Sequence, residues 1–363
     1  MTTISVKLGI QQRVLPEYRA PFFDALAAAC AKGLCVYAGH GRSVEAIART
    51  TELKVARFSQ ANNLHILHGS FYTYVQTNLM QWIEEWQPEV LIVEANPRNL
   101  STPQAIRWMH AHKRPVIGWG LGAPNARGLH EALRYRFLQS LDAVIAYSQT
   151  GAEQYRGLGC RVAKVFVAPN AVTPKPVNPA LERPNKFKEG RATVIFVGRL
   201  QKRKKVDLLL QACSLLPEAL RPRLLIVGDG PEREELQTLA SRVYPQAEFT
   251  GAKYGEELQA CYAMADLFVL PGTGGLAIQQ AMAHSLPVLV GEADGTQSEL
   301  VRAENGWLIS DMSVEKLTSA LESALQDVKR LRRMGLESYR IVSEEVNLER
   351  MVEAFAEAIR AVV

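Results

Sequence analysis

Short apolar runs recur along the chain, and the stretches between them have the three- and four-residue apolar spacing of helices. The runs are "ISVKLGI", "LCVYAG", "EVLIVEA", "RPVIGWG", "AVIAYS" and "KVFVAPN" in the first half, and "TVIFVGR", "RLLIVGDG", "AEFTG", "DLFVLPG" and "LPVLVGE" in the second. Short apolar runs that alternate with helices indicate parallel strands buried on both faces of a sheet. The pattern therefore predicts the doubly wound α/β class.

One segment interrupts this alternation. Residues 173–190, "TPKPVNPALERPNKFKEG", contain four prolines and several charges but no apolar periodicity, which is typical of an interdomain linker. A chain of 363 residues is long enough for two domains, and we expect Rossmann-like domains over residues 1–172 and 191–340. The last segment, residues 341–363, includes "NLERMVEAFAEAIRAVV", whose apolar spacing predicts an amphipathic helix that packs back on the N-terminal domain.

The composition is that of a soluble globular protein, with 47% hydrophobic residues. No apolar run approaches the roughly 20 residues of a membrane-spanning helix, and "MTTISVKLGI" lacks the apolar core of a secretory signal, so we expect a cytoplasmic protein. The formal net charge of +5 is too weak to predict nucleic acid as a partner. This charge suits small anionic ligands or an acidic membrane surface equally well.

The cysteines are spread along the chain without CxxC or Cys/His spacing: Cys30, Cys35, Cys160, Cys213 and Cys261. This pattern argues against both a disulfide framework and a zinc site. We expect buried thiols.

A basic turn follows the first apolar run of the second half. In "VIFVGRLQKRKKVDLLLQA" the predicted strand ends at Gly198, Arg199 follows at once, and Lys204 comes five residues later, before a helix. Cationic side chains at the carboxyl end of a parallel strand lie where open α/β sheets bind ligands, and this pair suits a diphosphate. A solvated basic turn is the alternative, because residues 202–205 are all cationic.

A glycine turn lies in "VLPGTGGLAIQQAMAHSLPVLVGE", residues 269–292. Its glycines permit a tight turn and close approach of a ligand, and the amides that begin the next helix form an anion site. The same letters satisfy G-x-G-x-x-A, with Gly272, Gly274 and Ala277, and Glu292 would be the acidic residue that follows. A nicotinamide-dependent oxidoreductase is therefore an alternative, although this motif is a weak discriminator.

Charged residues also lie near strand ends in the first half. "GIQQRVLPEYRAPFFDAL" places Arg13, Glu17 and Arg19 between the first strand and a helix, and "LIVEANPRNLS" places Glu94 at a strand end with Arg98 after it. A carboxylate in that position is a candidate for binding a hydroxyl or accepting its proton. The alternative is a structural ion pair between Glu94 and Arg98.

Further features of the first half admit two interpretations. His68 and His130 are candidate ligand-binding residues, with a structural role as the alternative. The segments "RWMHAHKRP" and "RGLHEALRYRF" gather cations and aromatic rings, which is compatible with peripheral contact with an anionic membrane at its inner face. A solvated helix face explains the same residues.

The ordered motifs of the second half carry a family resemblance. The segments "VGRLQKRKKVDLLLQA", "LLIVGDGPEREEL", "FTGAKYGEELQACYAMADLFVLPG", "GLAIQQAMAHSLPVLV" and "GTQSELVRAENGWLIS", over residues 193–310, resemble the C-terminal domain of the retaining GT-B-fold glycosyltransferases of family 4, also called glycosyl transferases group 1. The first half resembles this family in architecture and in "FVAPNAV". The resemblance implies the GT-B fold, in which two Rossmann-like doubly wound parallel-sheet domains face a cleft.

The resemblance also implies a function and its partners. The donor would be a nucleotide sugar, with UDP rather than GDP, held by residues 191–340. The acceptor would be a glycan or lipid-linked saccharide, held by residues 1–172, in polysaccharide or cell-envelope biosynthesis. The acceptor-side candidates are Arg13, Glu17, Arg19 and Arg98. No nucleic acid partner is implied.

Particular residues receive donor-side roles from the resemblance. Arg199 and Lys204 would hold the diphosphate and stabilise the leaving group, and the loop of Gly251, Ala252 and Lys253 would meet the base. The diphosphate would also approach Gly198 and the turn of Gly272, Thr273, Gly274, Gly275 and Leu276. The chain has no D-x-D motif, so we expect no metal and no cofactor. Retaining transfer assisted by the departing phosphate needs no covalent nucleophile.

One departure from the family pattern concerns two glutamates around the glycine turn. Gly272 and Gln280 stand in their places, in a "PG..GL" turn of the kind that some branches of the family carry. Gln280 can still hydrogen-bond a ribose hydroxyl, whereas Gly272 cannot replace a carboxylate. We hypothesise that Glu94 partly replaces the missing carboxylate as a catalytic residue. A nucleotide-sugar-binding protein with impaired catalysis is the alternative.

Overall fold

The computed structural model describes residues 3–42, 50–67, 69–122, 129–158, 165–292 and 297–363. The chain divides into two compact units. Unit 1 comprises Met1–Pro174 and Leu348–Val363, and unit 2 comprises Lys175–Asn347.

Unit 1 is built on a seven-stranded parallel sheet with the strand order β3-β2-β1-β6-β7-β8-β9, and β4 pairs with β5 as a separate antiparallel hairpin. The strands are β1 (Leu8–Val14), β2 (Leu34–Gly39), β3 (Arg57–Gln60), β4 (Asn63–Ile66), β5 (Thr73–Gln76), β6 (Val90–Glu94), β7 (Val116–Gly120), β8 (Ala143–Ala146) and β9 (Val165–Val167). Every residue of β2 and β8 is buried, as expected for strands covered on both faces. The helices in this part of unit 1 are α1 (Ala20–Ala29), α2 (Leu79–Trp86), α3 (Thr102–Ala111), α4 (Leu129–Gln139) and α5 (Gln149–Gly157).

Unit 2 contains a six-stranded parallel sheet with the order β12-β11-β10-β13-β14-β15. Its strands are β10 (Thr193–Val197), β11 (Arg223–Val227), β12 (Glu248–Gly251), β13 (Leu267–Leu270), β14 (Val288–Gly291) and β15 (Gly306–Ile309). The direction of winding reverses between β10 and β13, and ligands of open α/β sheets bind at such a switch point, beyond the carboxyl ends of the strands. The predicted α/β class is therefore correct for both units.

The helices of unit 2 are α6 (Val206–Leu215), α7 (Arg233–Val243), α8 (Gly255–Met264), α9 (Leu276–Ala283), α10 (Gln297–Leu300), α11 (Val314–Leu325) and α12 (Val328–Glu344). The chain then returns to unit 1 as α13 (Leu348–Arg360), which packs on α1. There the Phe355 ring lies 4.9 Å from the Phe22 ring and 5.0 Å from the Trp119 ring. None of the helices in the described ranges is both long and apolar enough to span a bilayer.

Much of residues 173–190 is fastened to unit 2. The Arg183 guanidinium donates to the backbone carbonyls of Tyr262, Ala265, His284 and Ser285 at 2.8 to 3.0 Å. These carbonyls lie at the C-terminal ends of α8 and α9, where helices leave acceptors unpaired. Arg183, one of the charged residues of the predicted interdomain linker, therefore supplies hydrogen-bond donors to the C-terminal carbonyls of two helices.

The predicted burial of the thiols is confirmed for the described cysteines. Cys30, Cys35, Cys213 and Cys261 are buried and free, and Cys160 lies outside the described residues. Burial raises the pKa of Cys30 to about 12, so this thiol stays protonated and unreactive at neutral pH.

Candidate functional site

The basic turn after β10 and the glycine turn after β13 are joined by three hydrogen bonds, and β10 and β13 are neighbours in the sheet. The Thr273 N–H donates to the Arg203 carbonyl at 3.0 Å, and the Arg203 guanidinium donates to the Thr273 hydroxyl at 3.0 Å. The Lys204 ammonium donates to the Thr273 carbonyl at 2.6 Å. We call this contact of Arg203, Lys204 and Thr273 the clasp.

The clasp explains why residue 272 is a glycine, although the family that the sequence resembles commonly has a glutamate at this position. A Cβ added to Gly272 would lie 2.0 Å from the Arg203 carbonyl oxygen and 2.7 Å from the Lys204 Cα. Such distances exclude any side chain, because backbone atoms occupy the space. Gly274 has φ +155°, and a Cβ added to it would lie 2.5 Å from the Lys204 ammonium nitrogen.

Lys204 is the most perturbed cation of this site. Burial, and then the charge of Arg203, lower the pKa of Lys204 to about 8. Its ammonium has three donors, and the Thr273 carbonyl accepts from one of them. A half-buried ammonium of this kind is stabilised by an anion. Arg199 is exposed and has no hydrogen-bond partner among the described residues.

Helix α9 begins just after the turn to which Lys204 is hydrogen-bonded. Gly275 is its N-cap and supplies no side-chain hydrogen bond, so the first amides of the helix are open to an external acceptor. Leu276, the first helical residue, is 39% exposed. The amides, the positive end of the helix and the Lys204 ammonium together make a candidate anion site, which we call the anion cradle.

The loop after β12 offers backbone groups to a ligand, because its charged side chain, Lys253, is already paired. Gly251 has φ +76° and accepts a hydrogen bond from the Gly228 N–H. The Lys253 ammonium is paired with Glu257 at 2.9 Å, while Ala252 is exposed. Sequence reasoning missed the next residue, Tyr254, whose side chain is 78% exposed and provides an aromatic face for stacking.

Gln280 is half-buried on α9. Its side-chain oxygen accepts a 3.4 Å hydrogen bond from the Tyr262 hydroxyl, and its backbone carbonyl lies 2.8 Å from the His284 Nδ1. The Tyr262 and His284 rings stack with their centroids 4.9 Å apart. These contacts orient Gln280 and leave its amide N–H groups for a ligand.

In unit 1, Glu94 lies at the end of β6 and does not pair with Arg98. One carboxylate oxygen accepts the Arg13 N–H at 2.8 Å, and the other accepts the Tyr74 hydroxyl at 2.9 Å. Burial, and then the charge of Glu94, raise the pKa of Tyr74 well above its ordinary value. The alternative of a Glu94–Arg98 ion pair is therefore wrong, because backbone and hydroxyl donors occupy the carboxylate and Arg98 is exposed.

The remaining acceptor-side candidates differ in exposure. Glu17 is exposed and Arg13 is half-buried. Arg19 is only 5% exposed. His68 lies outside the described residues, as does the side chain of His130.

Sequence reasoning also missed a buried amide network beside Glu94. The Gln76 side chain accepts from Gln11 at 2.7 Å and from Asn99 at 3.0 Å, and it donates to Asn63 at 3.0 Å. This network ties the β4–β5 hairpin to β1 and fixes the carboxyl end of that strand. The polar pair in "GIQQRV", within an otherwise apolar strand, was its only signal.

The match to a known family model lies within unit 2. The family model described as glycosyl transferases group 1 matches residues 177–340. Unit 2 carries a glycosyl transferases group 1 domain. Part of the predicted resemblance is thereby confirmed, and the domain contains the clasp, the α9 start and the Gly251 loop.

Curated relatives match over similar lengths. A sulfoquinovosyl transferase of Arabidopsis thaliana is 36% identical over 140 residues, which is 37% of this chain and 26% of the relative. A GDP-mannose-dependent alpha-mannosyltransferase of Mycobacterium tuberculosis is 40% identical over 124 residues, 33% of this chain and 31% of the relative. The chain thus spans less than a third of the length of these two relatives.

Solved structures match along almost the whole chain. The HepE protein of Anabaena in complex with UDP matches with a TM-score of 0.71 and 15% identity, over 99% of this chain and 100% of that one. The lipopolysaccharide outer core galactosyltransferase WaaB matches with a TM-score of 0.70 and 13% identity, over 98% and 99% of the two chains. The GT-B fold, with two Rossmann-like domains, is confirmed.

Proposed function

We propose that the protein is a glycosyltransferase that moves a sugar from a nucleoside-diphosphate sugar to a glycan or glycolipid acceptor. The observation that carries this proposal is the anion cradle of the group 1 domain, where the half-buried Lys204 ammonium is hydrogen-bonded to the turn that leads into the uncapped start of α9. Arg199, which follows β10 two residues after its end, is the second proposed cation. Diphosphate is the anion that suits a paired arginine and lysine beside helix amides.

The cradle supports a metal-independent, retaining reaction. Negative charge develops on the diphosphate as its bond to the anomeric carbon breaks, and in this proposal Lys204, Arg199 and the α9 amides stabilise that charge. The acceptor oxygen forms its bond to the same face of that carbon, and its proton passes to the departing phosphate. This scheme requires no covalent nucleophile and no metal ion.

The proposed nucleotide base is uracil, bound at Gly251, Ala252 and Lys253. Exposed backbone there can hydrogen-bond the base edge, and the Tyr254 ring offers a stacking face. Gln280 is proposed to bind the ribose. Uracil rests on the family resemblance, whereas several relatives are named as GDP-mannose-dependent, so guanine is the competing base.

On the acceptor side we assign Arg13, Glu17, Arg19 and Arg98 to binding and Glu94 to catalysis. The Glu94 carboxylate is held by two donors, and each oxygen keeps acceptor capacity for a substrate hydroxyl. The proposed setting is polysaccharide or cell-envelope biosynthesis in the cytoplasm, with peripheral contact at the inner face of the membrane.

A second candidate is a nucleotide-sugar-binding protein without turnover. The space beside Gly272, filled by the backbone of the basic turn, favours it because no carboxylate can stand at that position. The two candidates share the donor site, and only the first transfers the bound sugar.

Calorimetric titration with UDP, GDP and NADH tests the donor site, which the two candidate functions share. We expect UDP to bind the wild-type protein, and Lys204→Ala to weaken that binding. Tight NADH binding without a response to either nucleoside diphosphate would favour an oxidoreductase instead. A donor-hydrolysis and transfer screen then separates the candidates, since binding without hydrolysis or transfer would favour the inactive protein.

A further inference from the structure

Arg19 is a buried cation framed by aromatic rings. It immediately precedes α1 and is 5% exposed. Its guanidinium carbon lies 5.1 Å from the ring centroids of Trp119 and Tyr147 and 5.5 Å from that of Tyr18. These rings pack around the guanidinium group and fix its plane.

No acidic side chain among the described residues balances this charge. The polar contact of the guanidinium is a 4.0 Å approach of Nη1 to the sulfur of Met351, which is a weak acceptor. The nearby carboxylate of Glu94 accepts from Arg13 and Tyr74 instead. Buried arginines are normally paired with an anion, whereas Arg19 has no oxygen acceptor among the described residues. Its Nε and Nη2 atoms are not sealed from solvent, so a ligand can reach them.

The position of Arg19 suits a ligand. Trp119 belongs to β7 and Tyr147 follows β8, so the guanidinium lies at the carboxyl edge of the unit 1 sheet, where open α/β sheets bind ligands. Helix α1 begins at the next residue, and its positive end adds to the field of the guanidinium.

We propose that Arg19 binds an oxyanion, either a phosphate or a carboxylate, that the acceptor carries. The fork of N–H donors matches the spacing of oxygens in both groups. That the anion belongs to an acceptor rests on the proposed function, whereas binding of the anion does not. The acceptor is then an anionic saccharide, either phosphorylated or containing a uronic acid.

The competing explanation is that Arg19 only packs α13 against the sheet. Its contacts with Met351, Trp119 and Tyr147 would serve this role without a ligand. A packing role predicts a lower melting temperature on substitution and no effect on the binding of anions.

The experiment uses the full chain with Arg199→Ala and Lys204→Ala, which removes the two cations proposed to hold the donor. Three probes with related pyranose rings are titrated by calorimetry: glucose 6-phosphate, glucuronate and glucose. We expect one of the two anions to bind at least about tenfold more tightly than glucose, and Arg19→Gln to abolish the difference. Arg107→Gln, which removes an exposed cation from α3, should leave it unchanged.

The outcomes are distinct. Preference for glucose 6-phosphate identifies a phosphorylated acceptor, and preference for glucuronate identifies a uronic acid. Equal binding of all three probes, or a preference that survives Arg19→Gln, overturns the proposal. Because the donor cations are absent, this result is independent of whether UDP binds to the wild-type protein.

If Arg19→Gln fails to fold, two further variants test the proposal. Arg19→Lys keeps the charge and Arg19→Met keeps an unbranched apolar chain, so both disturb the aromatic contacts. Anion binding predicts that the lysine variant retains more of the preference than the methionine variant. Identical preferences in the two variants would assign Arg19 to packing alone.

Discussion

The Lys204 ammonium donates a 2.6 Å hydrogen bond to the backbone carbonyl of Thr273. This bond joins the turn after β10 to the turn after β13, and the Arg203 side chain and carbonyl reinforce it. The position of the ammonium is therefore set before any nucleotide arrives, which reduces the ordering that binding would otherwise require.

Lys204→Ala should weaken binding of UDP by about tenfold to a hundredfold, because a charge-assisted hydrogen bond contributes about 1.5–3 kcal/mol. Calorimetric titration measures the change. Lys202→Ala, an exposed cation of the same turn, is the matched control and should alter affinity less than about twofold. Equal losses in the two variants would show that only the net charge of the turn matters.

The affinity for nucleoside diphosphate should fall as the pH rises through about 8, the lowered pKa of Lys204. The neutral amine no longer attracts the diphosphate, and bound diphosphate in turn raises the pKa of Lys204. Titrations between about pH 7 and about pH 10 measure this slope. A slope that persists in Lys204→Ala would assign it to another group.

The lowered pKa of Lys204 has the opposite effect on the free energy of unfolding, which should increase as the pH rises. The pKa of Lys204 is lower in the folded protein than the ordinary 10.5, so the unfolded chain binds the proton more tightly. The unfavourable contribution of Lys204 is thus fully present below pH 8 and is relieved as the pH rises from about 8 towards 10.5. Urea unfolding of wild type and Lys204→Met across this range should show the slope in wild type alone.

Gly272→Ala should lower the free energy of unfolding by about 1–3 kcal/mol, because the new methyl group would force the two turns apart. Urea denaturation provides the measurement. Gly275→Ala is the control, since a Cβ there meets nothing within 4 Å. If Gly272→Ala is no less stable than Gly275→Ala, the clasp is not rigid.

Arg183→Ala should destabilise the protein by about 3 kcal/mol or more, because it leaves carbonyls at the ends of α8 and α9 without donors. Lys188→Ala, an exposed residue of the same segment, should change stability by less than about 0.5 kcal/mol. Chemical denaturation compares them, and similar midpoints would mean that water replaces the guanidinium at little cost.

Glu94→Gln should reduce turnover while leaving the affinity for UDP unchanged, because the carboxylate belongs to unit 1 and the donor site to unit 2. Tyr74→Phe removes one donor to this carboxylate and should reduce turnover by a smaller factor. Steady-state kinetics and calorimetry provide the two measurements. Unchanged turnover and binding in Glu94→Gln would end its assignment as a catalytic residue.

The sequence predicts what depends on local periodicity. The buried strands β2, β6, β7 and β8 were evident as apolar runs. The short strands β3, β4, β5 and β15, each of four residues and only partly buried, were not predicted. Likewise, glycines and cations beside a predicted helix led to the proposal of the anion cradle.

Features that depend on residues far apart in the chain could not be predicted. Gly272 departed from the family pattern for a reason visible only when Arg203, distant in sequence, approaches it. Arg19 was placed between a predicted strand and helix, and Arg183 in a predicted interdomain linker. Their guanidinium groups contact rings and helix ends that come from distant segments. No spacing rule links such partners.

The return of α13 to unit 1 determines the order in which the two units can be completed during synthesis. Unit 2 is inserted within unit 1, between Pro174 and Leu348. All residues of unit 2 leave the ribosome before Phe355, which covers Phe22 and Trp119 in the finished core. Unit 2 can therefore fold during translation, while unit 1 keeps an open aromatic core until α13 emerges.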